Sequence, residues 1–371
     1  MKIIAFYLPQ FHAIPENDRW WGEGFTEWTN VKAARPLFPG HRQPRAPLGG
    51  DYYNLLDDSV KLRQVELAKQ YGIYGFCYYH YWFGGKLLLE KPMEQMLANP
   101  EIDLPFCVSW ANEPWTGAWA GKKQTLIPQS YGDRTEWEKH FEYLLPFFRD
   151  ERYIKTEGCP LFVIYRPAVI SCLGEMLDCW DELARRSGFP GMAFAYQSRW
   201  DSSAPGREEN RKKFRYAIEY QPSFGFEDLH SGQHRLLRAA KNRVSLIMER
   251  TLGVSLNNLS HGQLTGNRED YGRVWEAILS AGPEDEKSVP GAFVQWDNTP
   301  RYGENGRVFT GSSPERFERY LRRQLRRAEE VYGSEFLFLN AWNEWAEGNY
   351  LEADTDYGYG WLEAVKNAQE K

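Results

Sequence analysis

Five cysteines in 371 residues, at positions 77, 107, 159, 172 and 179, form no Cys-x-x-Cys pair and no zinc-binding spacing. An odd number cannot all pair, and Cys77 and Cys107 sit in apolar runs, where a thiol behaves as a small hydrophobe. Free thiols without staples suit a reducing compartment. Long hydrophobic runs are also missing: no stretch of about 20 apolar residues occurs, so no membrane span is expected. The opening "MKIIAFYLPQFH" has one lysine and six apolar or aromatic residues between it and Pro9, too few for the core of a signal peptide. These absences read as a soluble, cytoplasmic protein. There is no basic surplus either, and a net charge of −6 argues against a nucleic-acid partner. No glycine-rich phosphate loop follows a strand candidate, and the seven histidines contain no His-x-x-x-His. Asp354 and Asp356 before "YGYG" resemble a cation loop only faintly. Neither cofactor nor metal is expected.

What the chain has in abundance is aromatic side chains, 16% of residues, with 15 Trp and 22 Tyr. Such rings fill cores, but they also offer flat apolar faces with a polar handle. A sugar presents the complement, an apolar C–H face and a rim of hydroxyls. An aromatic cleft for carbohydrate and an aromatic-rich core are therefore both open on composition.

Short apolar runs alternate with amphipathic stretches along the chain. The strand candidates are 2–9, 73–82, 104–112, 160–167, 192–199, 214–222, 291–300 and 336–345. The segments between them read largely as helices, such as "SVKLRQVELAKQYG", with Val60, Leu62, Val65, Leu67 and Ala68 on one face and Gly72 as its stop. In "SPERFERYLRRQLRRAEEVYG", Phe317, Tyr320, Leu321, Leu325 and Ala328 form the apolar stripe, leaving the arginines solvated. Buried strands alternating with helices argue for an all-parallel sheet, and eight repeats predict an α/β fold of the (β/α)8 TIM-barrel type. The whole chain, 1–371, is expected to be one catalytic domain. Residues 223–268 are too long for a βα connection and read as a cap or lid inserted after strand six.

Several strand candidates end in polar and aromatic residues: Tyr7, Tyr79-His80-Tyr81, Trp110 with Asn112 and Glu113, Tyr165-Arg166, Gln197, Glu219 with Gln221, Gln295-Trp296-Asp297, and Asn343-Glu344. Barrel enzymes carry their active sites at that end, and a merely structural barrel has no need to gather costly polar groups there. In "NAWNEWAEGNY", Glu344 and Glu347 lie three apart, beside Trp342 and Trp345. On a helical turn they come within roughly 5–6 Å, close to the roughly 5–5.5 Å carboxyl separation of retaining glycosidases. Like charges so close push their proton affinities apart, giving one base and one acid. Two exposed loop acids are the alternative. In "WANEPW", Glu113 could be a rival acid, a sugar ligand or a structural residue; ligand contact is preferred. The loop 7–30 places His12 and Trp28 where they would wall a site or plug it, and His80 reads as a hydrogen-bonding residue.

"FYLPQFH.IPEND.WWG.GFTEWTNV", "YYHYWFGGK.LLEKP", "WANEPW" and "AWNEWAEGNYLEAD" resemble the WbsX-type family, whose members are often labelled glycosyltransferases of O-antigen or other surface-polysaccharide synthesis. That family carries a domain similar to glycoside hydrolase family 99, and the resemblance runs from about residue 2 to 365. It implies a (β/α)8 barrel and retaining, endo-acting α-mannoside chemistry centred on an Asn-Glu-Trp-x-Glu-Gly motif, here Asn343 to Gly348. Carried over, Glu344 is the base that deprotonates the sugar's own 2-hydroxyl to give a 1,2-anhydro sugar. Glu347 is the acid on the leaving group and then the base on water. Ala346 stands where family 99 proper often has histidine, and "NYLEAD" differs from the hydrolase form, so the resemblance bears on chemistry more than on sugar identity.

The expectation is a glycoside hydrolase acting on α-linked mannose-like or 6-deoxyhexose sugars of an oligo- or polysaccharide. Tyr7, His12, Trp28, Tyr79, His80, Trp110, Asn112, Glu113, Glu219, Trp296, Trp342 and Asn343 are its substrate-binding candidates. A glycosyltransferase is the runner-up, and a carbohydrate-binding protein without catalysis is the third reading. Oligomeric state is not legible in the chain.

Overall fold

The computed structural model describes residues 1–117, 125–197, 207–230 and 268–370. Parallel strands form a barrel: β1 (Lys2–Tyr7), β2 (Gly75–Phe83), β3 (Phe106–Trp110), β4 (Cys159–Ile164), β5 (Ala193–Tyr196), β6 (Tyr216–Ile218), β7 (Ser288–Val289 continued by Gly291–Phe293) and β8 (Phe336–Asn340). Each strand pairs with its neighbours in sequence, and β8 returns to β1 with Lys2 opposite Phe336. β7 completes the ring, since Val289 faces Ile218 of β6 while Gly291 faces Phe338 of β8. Gly291 is required there, because a Cβ would stand 1.9 Å from the Glu219 carbonyl oxygen. Residues of β1, β2, β3, β4 and β8 are almost wholly buried, as a parallel sheet covered on both faces demands.

The helices are α1 (Pro15–Trp21), α2 (Glu27–Ala33), α3 (Asp58–Gln70), α4 (Lys91–Ala98), α5 (Arg134–Arg149), α6 (Leu173–Arg186), α7 (Arg207–Lys213), α8 (Tyr271–Ser280), α9 (Thr299–Tyr302), α10 (Pro314–Glu330) and α11 (Gly360–Gln369). α3 begins where the Asp57 carboxylate accepts the Ser59 N–H, and buries Val60, Val65 and Ala68. α10 is capped by Ser313 and buries the expected stripe from Phe317 to Ala328. Each large apolar side chain so buried contributes about 1.5–3 kcal/mol. The arginines stay outside, Arg323 pairing with Glu276 of α8.

Cys77 and Cys107 face each other across β2 and β3 as buried free thiols. No helix among the described residues is long and apolar enough to cross a membrane. Of the expected insertion, residues 223–230 are helical, and 231–267 lie outside the described residues.

The strand expected over 336–345 ends early. β8 stops at Asn340, and Asn343–Glu344 pairs antiparallel with Asn349–Tyr350 as a small ribbon. The turn between them, Trp345–Glu347, is a single 3-10 turn closed by Gly348 at φ +56°. Only glycine fits there, since the backbone is left-handed and a Cβ would stand 2.9 Å from that of Asp297.

Candidate active site

A cavity of about 330 Å³ opens at the C-terminal end of the barrel. Its walls come from β2 itself and from the segments following the other barrel strands except β5, α1 and α2 among them. Glu344, from the ribbon, and Glu347, from the 3-10 turn that follows it, both line the cavity. Arg301 of α9 reaches both: its Nη1 donates to Glu347 at 2.6 Å and its Nη2 to Glu344 at 3.0 Å. The same Nη2 donates to Glu27 of α2 at 2.6 Å. Glu27 also accepts the backbone N–H of Ala346, between the paired glutamates, at 3.3 Å.

This crowding governs the electrostatics. Burial pushes Glu344 up to about 8; the Arg301 guanidinium opposes the rise, and the Glu347 and Glu27 carboxylates add to it. Burial raises Glu347 as well, again against Arg301. Arg301 is held well above its ordinary value by the carboxylates around it, against the effect of its own burial. The pair therefore retains a proton near neutral pH, as one acid and one base require. Tyr79, Tyr81, Tyr165 and Tyr220 line the walls, and burial raises all four, so they remain neutral donors. The Tyr79 and Tyr220 hydroxyls stand 3.2 Å apart.

Of the catalytic and substrate-binding candidates, Tyr79, Glu113, Glu344 and Glu347 line this cavity, as do the strand-end residues Tyr81 and Tyr165. Glu113 sits at its rim, half exposed and paired with Arg166. The other substrate-binding candidates lie outside the lining, and strand alternation explains many of them. Phe6, Tyr79 and Tyr220 pack together, Phe6 stacking on Tyr79 at 5.6 Å, whereas their chain neighbours Tyr7, His80 and Glu219 find partners elsewhere. Tyr7 donates to Gln64 of α3, His80 shares a hydrogen bond with His140 of α5 at 2.9 Å, and Glu219 accepts from Tyr332. Trp110 donates to the Trp82 carbonyl and packs on His140.

The remaining candidates brace loops. Asn112 clasps the backbone N–H and carbonyl of Arg166, and Asn343 does the same for Leu8. Trp28 donates to the Tyr53 carbonyl and packs on Trp345, 5.3 Å between centroids. His12 is buried against the Pro9 carbonyl, Trp296 packs near Phe309 and Trp342 on Phe76.

Reading the sequence missed Glu27, Arg301 and Tyr220. Glu27 stood inside the noticed "FTEW", and Arg301 lies one residue past the strand-seven segment 291–300. Neither has a local signal, because α2 and α9 meet the turn only in the folded chain. Among the described residues, no cluster of three or more His, Cys, Asp or Glu could hold a metal.

Comparison with known proteins agrees with the architecture. An endo-α-mannosidase of family GH99 from Bacteroides thetaiotaomicron superimposes with a TM-score of 0.58 at 13% identity, over 99% of this chain and 95% of that one. A glycoside hydrolase-like protein gives 0.59 at 10% identity, over 100% and 94%. Likeness at such identity shows the shared barrel fold. In sequence, the chain is 34% identical over 368 residues, 99% of its length, to the WxcX proteins of two Xanthomonas campestris pv. campestris strains, B100 and ATCC 33913. It spans about half the length, 49%, of those relatives. The family described as Glycosyltransferase WbsX matches residues 3–365, and the chain belongs to that family.

Proposed function

We propose that the protein is a glycoside hydrolase that cleaves α-linked mannose-like or 6-deoxyhexose units of a polysaccharide with retention. Glu344 is the base and Glu347 the acid/base. The observation carrying this reading is the pair of carboxylates, Glu344 buried and Glu347 partly so, that share one guanidinium in a tyrosine-lined cavity. In the first step the Glu344 carboxylate takes the proton of the sugar 2-hydroxyl, whose oxygen closes on C1. The glycosidic bond breaks, and Glu347 gives its proton to the departing oxygen. The products are a 1,2-anhydro sugar and the released chain. Glu347, now ionised, then takes a proton from the water that opens the epoxide, and Glu344 returns its proton to O2.

The family's description favours a second reading, transfer from a sugar nucleotide. The cavity's charge supports hydrolysis instead. Glu27, Glu113, Glu344 and Glu347 line it, and among the described residues its lining holds one cation, Arg301, already bound by three of them. A diphosphate would enter against that field.

The test sets wild type beside Glu344→Gln and Glu347→Gln on α-mannan, rhamnose-rich polysaccharide and a panel of sugar nucleotides, with products read by mass spectrometry and proton NMR. New reducing ends, α-configured at first and lost in both variants, are expected. Nucleotide release with chain extension that survives both substitutions would return the protein to the transferases.

A further inference from the structure

The first step proposed above leaves the number of protons on the two glutamates unchanged while exchanging their charges. The reading requires Glu344 ionised and Glu347 protonated before it, against the burial that raises Glu344 to about 8, and the reverse after it. A cation serving only one of them would favour one side of the step and oppose the other. Arg301 serves both, through different nitrogens of one planar group, at 3.0 Å from Glu344 and 2.6 Å from Glu347. The shorter bond lies on the residue that becomes ionised after the step.

Glu27 keeps the guanidinium in this place. It is 2% exposed, binds Nη2, and accepts the Ala346 N–H with the same oxygen, so the cation is tied to the backbone of the catalytic turn. The other titratable groups facing the pair are Tyr79 and Tyr81 of β2, Tyr165 after β4, Tyr220 after β6, Tyr302 of α9 and Glu113 after β3. The tyrosines are neutral, and Glu113 is paired with Arg166 at the rim.

Resting on the hydrolase reading, we infer that Arg301, anchored by Glu27, is the shared counter-ion of Glu344 and Glu347, following the negative charge from one to the other during the first step. Both are positioning residues: they act through the two glutamates. Glu27 opposes ionisation of the pair and Arg301 promotes it, so removing each moves the pair in opposite directions. A role confined to packing produces no such opposition.

The experiment uses Glu27→Gln, Arg301→Gln and Arg301→Lys, each checked by thermal midpoint. Glutamate side-chain carboxyls are titrated by 13C NMR, with Glu344 and Glu347 assigned through their own Gln variants. The pH profile of kcat is measured on whichever glycan wild type cleaves. Glu27→Gln should lower the midpoint of the pair by about one unit and Arg301→Gln should raise it by about one. Arg301→Lys keeps the charge but cannot bridge two carboxylates through a planar fork, so kcat should fall roughly 10- to 100-fold with little change in KM. Midpoints that move the same way, or do not move, overturn the inference, as does full activity in Arg301→Lys. If Arg301→Gln does not fold, Glu27→Gln and Arg301→Lys still decide. If no glycan is cleaved, the hydrolase reading falls while the titration, which needs no substrate, still judges the couple.

Discussion

The indole of Trp345 donates to Glu352 at 2.7 Å, joining the tryptophan between the two candidate catalytic glutamates to a buried carboxylate behind them. Glu352 also accepts from Tyr53 at 2.8 Å and from Gln64 of α3 at 2.6 Å. The turn that carries the candidate glutamates is thus braced through Gln64 of α3 as well as by Arg301.

Glu352→Ala leaves these donors unpaired, and each buried orphan costs about 1–3 kcal/mol. The expected loss is about 3 kcal/mol, measured by urea denaturation at pH 7. Burial pushes Glu352 up to about 7, above its value in the unfolded chain. The folded state therefore holds a proton that the unfolded state releases first, and this contribution to stability declines as pH rises from about 4.3 to 7. Glu352→Gln should flatten that part of the stability profile relative to wild type.

Glu344→Gln and Glu347→Gln should each lower kcat by about 10²- to 10⁴-fold, the range of general acid–base catalysis. Neither should lower the thermal midpoint at pH 8, because each removes a buried carboxylate from a site already crowded with negative charge. A variant that unfolds before it loses activity would assign these residues a structural role.

Gly348→Ala tests how tightly the turn must be held. The left-handed φ disfavours a side chain by about 1–2 kcal/mol, and the added Cβ meets Asp297. The Asp297 N–H donates to the Glu347 carbonyl at 2.7 Å, so relief of the clash displaces Glu347 itself. Activity should fall further than stability, seen by comparing kcat with the thermal midpoint.

His80 and His140 form a buried pair outside the cavity. Burial lowers His80 to about 3 and His140 well below its ordinary value. Both charge in the unfolded chain below about pH 6.5, which withdraws stability as pH falls, at up to about 1.4 kcal/mol per unit for each. Urea midpoints from pH 7 down to pH 4 should fall less steeply in His80→Phe than in wild type.

The barrel was legible because its signal is local. Each strand candidate overlaps a parallel barrel strand, since apolar runs and helical stripes record which residues must leave water. The polar ends were over-read as strand. Asn343 and Glu344 leave the ladder to form their own ribbon, where backbone geometry rather than hydropathy decides.

In the candidate site, Glu344 and Glu347 were readable as neighbours because they lie three residues apart, but the single helical turn expected for them is a ribbon strand followed by a 3-10 turn. Alternation was visible too, but not its phase at the strand ends. Tyr79 reached the cavity, while Tyr7, His80 and Glu219 took the opposite face.

The sequence by itself determined the eightfold alternation of strand and helix and the nearness of two glutamates three residues apart, both properties of neighbouring residues. Only the tertiary structure decided that Glu27 and Arg301, 274 positions apart, meet those glutamates. Closing the barrel brings the segments after β1, β7 and β8 to one mouth, and no local pattern encodes which charges converge there.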